Sequence, residues 1–154
     1  TDASDPNGTS YLACPGVAGY RLIIRRVDAG RRSIDVADGS GKVLPLNYDE
    51  FVTRYMCTLG GKAEWRVLKN SDGKQVPIAL IVPLLAHEDD ENPEKVTRTY
   101  LAVAKISREE TCVTDAIPDG SMPEAEVLRA ADTARNRPCA RPLPPMTEGG
   151  VVVR

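Results

Sequence analysis

The stretch K62-A-E-W-R-V-L-K-N-S-D-G-K-Q-V-P-I-A-L-I-V-P-L-L-A86 decides the fold class. Asn70-Ser71-Asp72-Gly73 is a turn signal between two apolar, strand-prone runs, the mark of a hairpin. With those four residues as the loop, Trp65 faces Ile78, Val67 faces Val76 and Ala63 faces Leu80, so one face of the pair is apolar. From Ile78 to Ala86 the second strand is apolar on both faces, the pattern of a central strand covered on two sides. Pro83 lacks a donor and is expected to mark a bulge or the end of that strand.

Upstream, residues 20–27 and 31–38 form a second hairpin around Asp28-Ala29-Gly30. That loop sets Ile24 against Ile34 and Leu22 against Val36, whereas a loop one residue shorter or longer would set Arg25 against Ile34. Gly30 then takes the left-handed position that closes the turn. Next, N47-Y-D-E50 precedes Phe51, Val52, Tyr55, Met56 and Leu59, and the apolar spacing predicts a helix over 48–58 with Asn47 as its cap, ended by Gly60-Gly61. Downstream, residues 97–107 and 111–117 read as strands. In D119-G-S-M-P-E124, Ser121 is a cap, Pro123 lies in the first turn and Glu124 completes a capping box. Val127, Leu128, Ala131 and Ala134 give that helix an apolar stripe as far as Arg137, and it must fold back across the sheet to bury it. The expected fold is α+β, a largely antiparallel twisted sheet of about six strands with a short helix after the first hairpin and a C-terminal helix packed on one face. The domain spans 14–139, between a flexible lead-in at 1–13 and a Pro/Gly-rich tail at 140–154, in which Val151-Val152-Val153 is placed to add an edge strand.

At 154 residues, 42% hydrophobic and 27% charged, the chain fits one domain, and an aromatic share of 5% makes its core aliphatic. A net charge of −2 creates no field favouring nucleic acid or an anionic membrane, and no apolar run approaches a membrane span. The start at Thr1 without an initiator Met reads as a mature or trimmed form. Cys14, Cys57, Cys112 and Cys139 lie far apart without a C-x-x-C pair, which points to two disulfides and an oxidising compartment. Several pairings are possible; the returning helix brings Cys139 toward the strand carrying Cys112, which favours Cys112–Cys139 and leaves Cys14–Cys57.

Chemistry-bearing motifs are few. D38-G-S-G-K42 lacks the first glycine and the final hydroxyl of a phosphate loop, and D5-P-N-G8 lacks the carboxylates of a calcium loop at its ends. N7-G-T9 satisfies a glycosylation sequon. His87, the only histidine, is followed by Glu88, Asp89, Asp90 and Glu91, and Glu91 stands where H-E-x-x-H needs its second histidine. No metal and no cofactor are expected. Residues 87–96 read as a mobile acidic flap between two strands. On the first hairpin, Arg21 and Arg25 share the outer face with Ile23 and Asp35. Arg21 and Arg25 on that face, with His87, Glu88, Asp89 and Asp90 of the flap, are the candidate partner-binding residues. Asp28, Asp35, Asp38, Asp49, Asp115 and Asp119 fall at strand ends or loops, where two carboxylates could serve a hydrolase.

The segments C14-P-G-V-A-G-Y20, E64-W-R66, T111-C-V-T-D-A116 and R129-A-A-D-T133 before Cys139 resemble a group of uncharacterised exported proteobacterial proteins over about residues 14–139. The resemblance implies a signal peptide in the precursor and a periplasmic or extracellular destination, and it implies no reaction. The expected function is that of a small disulfide-stabilised exported protein acting as a non-catalytic binding module, an inhibitor, accessory or envelope-interaction protein whose partner is another protein or an envelope component. The competing expectation is a small hydrolase or ligand carrier with a site assembled from dispersed carboxylates and arginines.

Overall fold

The structure is a computed structural model and describes residues 2–4, 10–28 and 31–144. Among these lie ten strands: β1 (Asp2–Ser4), β2 (Ser10–Pro15), β3 (Arg21–Asp28), β4 (Arg31–Ala37), β5 (Val43–Pro45), β6 (Met56–Leu59), β7 (Glu64–Lys69), β8 (Gln75–His87), β9 (Arg98–Ile106) and β10 (Thr111–Pro118). Two helices, α1 (Tyr48–Phe51) and α2 (Glu124–Asp132), and a 3-10 turn, Ala134–Asn136, complete the elements. The strands form one sheet in the order β1-β2-β3-β4-β6-β8-β9-β10, with β5 also on β4 and β7 also on β8. All described pairings are antiparallel except β4 with β6, so the sheet is mixed. The broad α+β class holds, but the count of six strands was too low: β1 and β2 occupy what was expected to be a loose lead-in, and β5 and β6 are short.

β8 is the two-sided strand that its composition demands. Leu80, Val82 and Leu84 point into the curl of the sheet, where they meet Leu22, Ile34 and Val36 of the β3–β4 hairpin. Ala79 and Ile81 point the other way, beneath Val127, Ala131 and Ala134 of the C-terminal helical segment. Each large aliphatic side chain buried this way contributes about 1.5–3 kcal/mol. One edge of β8 pairs with β9 from Ala79 to Ala86; the other pairs first with β7, from Gln75 to Ile81, and then with β6, from Leu84 to His87. Pro83 falls where these two partners change over. Its carbonyl accepts the amide of Gly60 at 2.8 Å on that edge, and in an antiparallel strand the nitrogen of the same residue faces the same way. The missing N–H therefore faces the gap between β7 and β6, and β8 runs through Pro83 instead of bulging or ending there.

The β7–β8 hairpin forms with a tighter turn than expected. The Asn70 amide donates to Lys74 O at 2.9 Å, and Gly73 takes the left-handed conformation at φ 77°. Asn70 Oδ1 also accepts the amides of Asp72 and Lys74. This side chain closes a three-residue loop where a four-residue one was expected. Leu68 therefore lies opposite Val76, and after a shift between Arg66 and Val67, Trp65 lies opposite Leu80 and not Ile78. In β3–β4 the expected pairs hold, Ile24 with Ile34 and Leu22 with Val36. Gly30, the sequon and Val151-Val152-Val153 lie outside the described residues.

The helix expected over 48–58 stops at Phe51, and β6 begins at Met56. The far end of β8, beyond the reach of β7, has an edge to be covered, and tertiary pairing outweighs a short helical pattern there. Asn47 is left-handed at φ 50° and makes no side-chain cap; its side-chain Oδ1 instead accepts Arg25 Nη2 at 3.3 Å. In α2 the N-cap is Pro123 and not Ser121, and regular helix ends at Asp132. Arg66 grips Asp132 through two hydrogen bonds of 2.8 and 3.0 Å and ties α2 to β7, a half-exposed pair contributing about 0–1 kcal/mol. No helix among the described residues is long and apolar enough to cross a membrane.

The helix return delivers Cys139 to Cys112, which are disulfide-bonded with Cα atoms 5.7 Å apart. Beyond it the chain stays tied: the Ala140 amide donates to Val113 O at 2.8 Å, and Leu143 is held by Glu50 O and by Arg54 Nη2. Cys14 and Cys57, expected to pair, are free. In register, Cys14 lies level with Leu22 and Val36, whereas Cys57 lies level with Arg31 on the far side of β4. Five residues along a strand span about 16 Å, well beyond the roughly 7 Å that a disulfide allows between Cα atoms. Burial pushes the Cys57 thiol up to about 12, with the charge of Asp49 adding to the effect. Reduction should add two hydrogens to the intact mass. The native unreduced protein should alkylate at half-buried Cys14 alone, with Cys57 reacting only on unfolding; a gain of four hydrogens would mean that Cys14 and Cys57 are bridged.

Candidate functional site

Where the β2–β3 hairpin approaches β7, the curl of the sheet is not fully closed. The β2–β3 turn places Ala18 and Gly19 both in the left-handed region, at φ 52° and 84°, and its ends are clasped by Gly16 N to Tyr20 O at 3.0 Å and Tyr20 N to Val17 O at 2.9 Å. Such a mirror-image turn matches the natural twist of a hairpin. It leaves Gly16 as a flat patch on which the indole of Trp65 lies, while Tyr20 meets the same ring edge-on, centroids 6.1 Å apart.

Behind this contact is a cleft of about 390 Å³, within the range of small-molecule sites. Leu22, Ile24 and Ile34 form one wall, and Leu59, Trp65 and Val82 the other. Two groups add chemistry to this apolar lining. The Cys14 thiol stands in the β2 wall, and Lys62, on the connection from β6 to β7, stands at the lip. Lys62 is exposed and forms no ion pair among the described residues. On its other side, Lys62 borders a second hollow of about 350 Å³ beside the start of α2, floored by Ile81, Leu101 and Val127 and rimmed by Glu64, Asp119 and Glu124.

The residues singled out from sequence lie elsewhere and are largely engaged. Arg25 reaches Asp35 at 3.1 Å, and Arg21 is exposed at the opposite end of β3. His87 is the last residue of β8, not part of the loop, and its Nε2 is 3.1 Å from Thr58 Oγ1. Glu88 accepts Thr97 Oγ1 at 2.9 Å and lies 3.7 Å from Arg98; Asp89 accepts the Glu91 amide at 3.0 Å; Asp90 is exposed. Arg21 lies level with Ala37, whereas His87 lies opposite Met56, whose neighbour Cys57 is level with Arg31. Six residues of β4, about 20 Å, therefore keep Arg21 apart from the acidic loop.

Of the dispersed acids, Asp28, Asp38 and Asp115 are likewise held one by one. Asp28 binds Arg31 at 2.7 Å, and Asp115 binds Arg137 at 2.7 Å. Asp38 accepts the Ser40 hydroxyl and the amides of Ser40 and Lys42 in an ordinary turn, and the hydroxyl bond is the main reason its carboxyl sits below the usual range. Glu110, Cys112 and Cys139 converge closely enough for a metal, but the two sulfurs are bonded to each other and offer no thiolate. Glu110 instead holds Lys105 at 2.7 Å. Sequence reasoning placed Trp65 in a core-facing row but missed the cleft, because β2 was not recognised as a strand; the signal was Ala18-Gly19 between two apolar runs.

A methyl group at residue 16 would sit 2.5 Å from Trp65 Cζ2 and 2.7 Å from the Tyr20 carbonyl. Gly16→Ala should therefore cost about 1–3 kcal/mol, lower Tm by roughly 3–10 °C and shift Trp65 emission to the red. Unchanged melting and emission would show that the indole does not rest there. Comparison of the chain with protein-family models, with curated proteins and with solved structures finds no match.

Proposed function

We propose that this chain is a disulfide-stabilised exported protein that acts by binding, and that its binding element is the apolar cleft between Trp65 and the β2–β3 hairpin. The observation that carries this reading is the lining itself: about 390 Å³ of open space walled by core-facing aliphatic side chains and the lone tryptophan. Such surface gains from being covered at roughly 25 cal/mol per Å². A mouth in a curled sheet is a common place for a small apolar ligand. The reading takes the ligand-carrier half of the competing expectation and leaves its hydrolase half, since Asp28, Asp35, Asp38 and Asp115 are individually engaged by arginines and turn groups and Asp119 stands on the rim of the separate hollow beside α2. The Cys112–Cys139 bond supports an oxidising destination, in line with the export that the family resemblance implies.

Trp65 is the only tryptophan and lines the cleft, so it reports occupancy directly. Titration with the neutral dye N-phenyl-1-naphthylamine should quench Trp65 emission saturably at one site and slow alkylation of Cys14. Ala63→Phe, which narrows the mouth, should weaken the dye at least about tenfold, since one displaced ring's worth of burial exceeds 1.4 kcal/mol. Unsaturable quenching, or quenching that leaves Cys14 unprotected, would refute the reading.

A further inference from the structure

We infer that the ligand of this cleft is an anionic amphiphile, a single apolar chain or ring carrying a carboxylate, sulfonate or similar acidic head that meets Lys62 at the lip. The inference rests on the cleft being the binding site and adds the class of ligand.

Charge complementarity decides it. Among the described residues Lys62 is the one charged side chain lining this cleft, and it stands beside the apolar walls and not within them. Its ammonium is paired with no carboxylate among the described residues, although Glu64 lies two positions away, because Glu64 turns toward Arg66 at 3.4 Å. An apolar body seated between Trp65 and Ile34 would therefore leave its head in half-wet surroundings facing an uncommitted cation. The second hollow, on the other side of the same connection, has the opposite character. Its apolar floor is ringed by Glu64, Asp119 and Glu124, so an anion there meets three carboxylates against the single shared lysine. The two hollows are similar in volume and both apolar at their base, and the sign of the rim separates them. A cationic or neutral amphiphile has no such reason to choose the first.

The test compares three ligands with the same ten-carbon chain, decanoate, 1-decanol and decyltrimethylammonium, each below its aggregation limit and followed by Trp65 emission. Decanoate should bind several-fold more tightly than decanol and more tightly still than the ammonium, with the preference shrinking as salt is raised. Lys62→Glu should weaken decanoate about tenfold while leaving decanol within about twofold, and Lys62→Met should abolish the preference without reversing it. Because Lys62 is exposed, neither variant should alter melting. Shortening the acid from decanoate to octanoate should weaken binding roughly fifteenfold, as expected for two methylenes leaving an apolar site. Equal binding of all three ligands would overturn the head-group assignment while the cleft reading stands. Failure of all three to quench Trp65 saturably would overturn both.

Discussion

Everything in this fold answers to the burial of β8 on both faces. A strand whose side chains are apolar in both directions cannot lie at a surface, so a layer is required on each side. Leu80, Val82 and Leu84 draw the β3–β4 hairpin over one face, and the sheet curls until β10 comes into contact with β5 and α1. Ala79 and Ile81 draw α2 onto the other face. The Cys112–Cys139 bond then fastens the returning chain to β10, and Lys105, nearly buried, donates to Arg137 O at 2.6 Å within the same fastening. These contacts together explain why the last described residues cross the sheet to reach α1.

The same constraint accounts for the cleft. β8 is longer than any one neighbour, so β7 and β6 share its edge, and the chain must step from one to the other through Gly60–Ala63. That step, with Pro83 facing the gap, leaves the wall of the curl incomplete. The β2–β3 hairpin covers much of the opening, and Trp65 lies across Gly16 as the contact between the two halves. What remains is apolar space with Lys62 at its lip, a by-product of how the strands divide the edge of β8 that is suited to an amphiphile.

The two-sided strand was legible in sequence because nine consecutive residues, Ile78 to Ala86, lack any charge. The β3–β4 register was legible for a related reason: only one alignment keeps Ile24 and Leu22 facing apolar partners. Cys112–Cys139 followed from the direction in which α2 must turn to bury Val127 and Ala131. What could not be read depended on partners distant in the chain. Residues 56–59 have a helical apolar spacing and become β6 only because the end of β8 has an unfilled edge. Cys57 stays a thiol because its level on the sheet differs from that of Cys14, a fact set by several registers at once. The acidic run at residues 88–91 drew attention through its local charge, whereas Lys62 and Cys14, each unremarkable alone, gain meaning only when Trp65 brings their segments together.

The most direct measurement of the central claim is the set of intermolecular NOEs between bound decanoate and the methyl groups of the protein. The account predicts contacts from the chain to Leu22, Ile24, Ile34 and Val82. Contacts instead to Val127 and Leu128, in the acid-rimmed hollow beside α2, would contradict it.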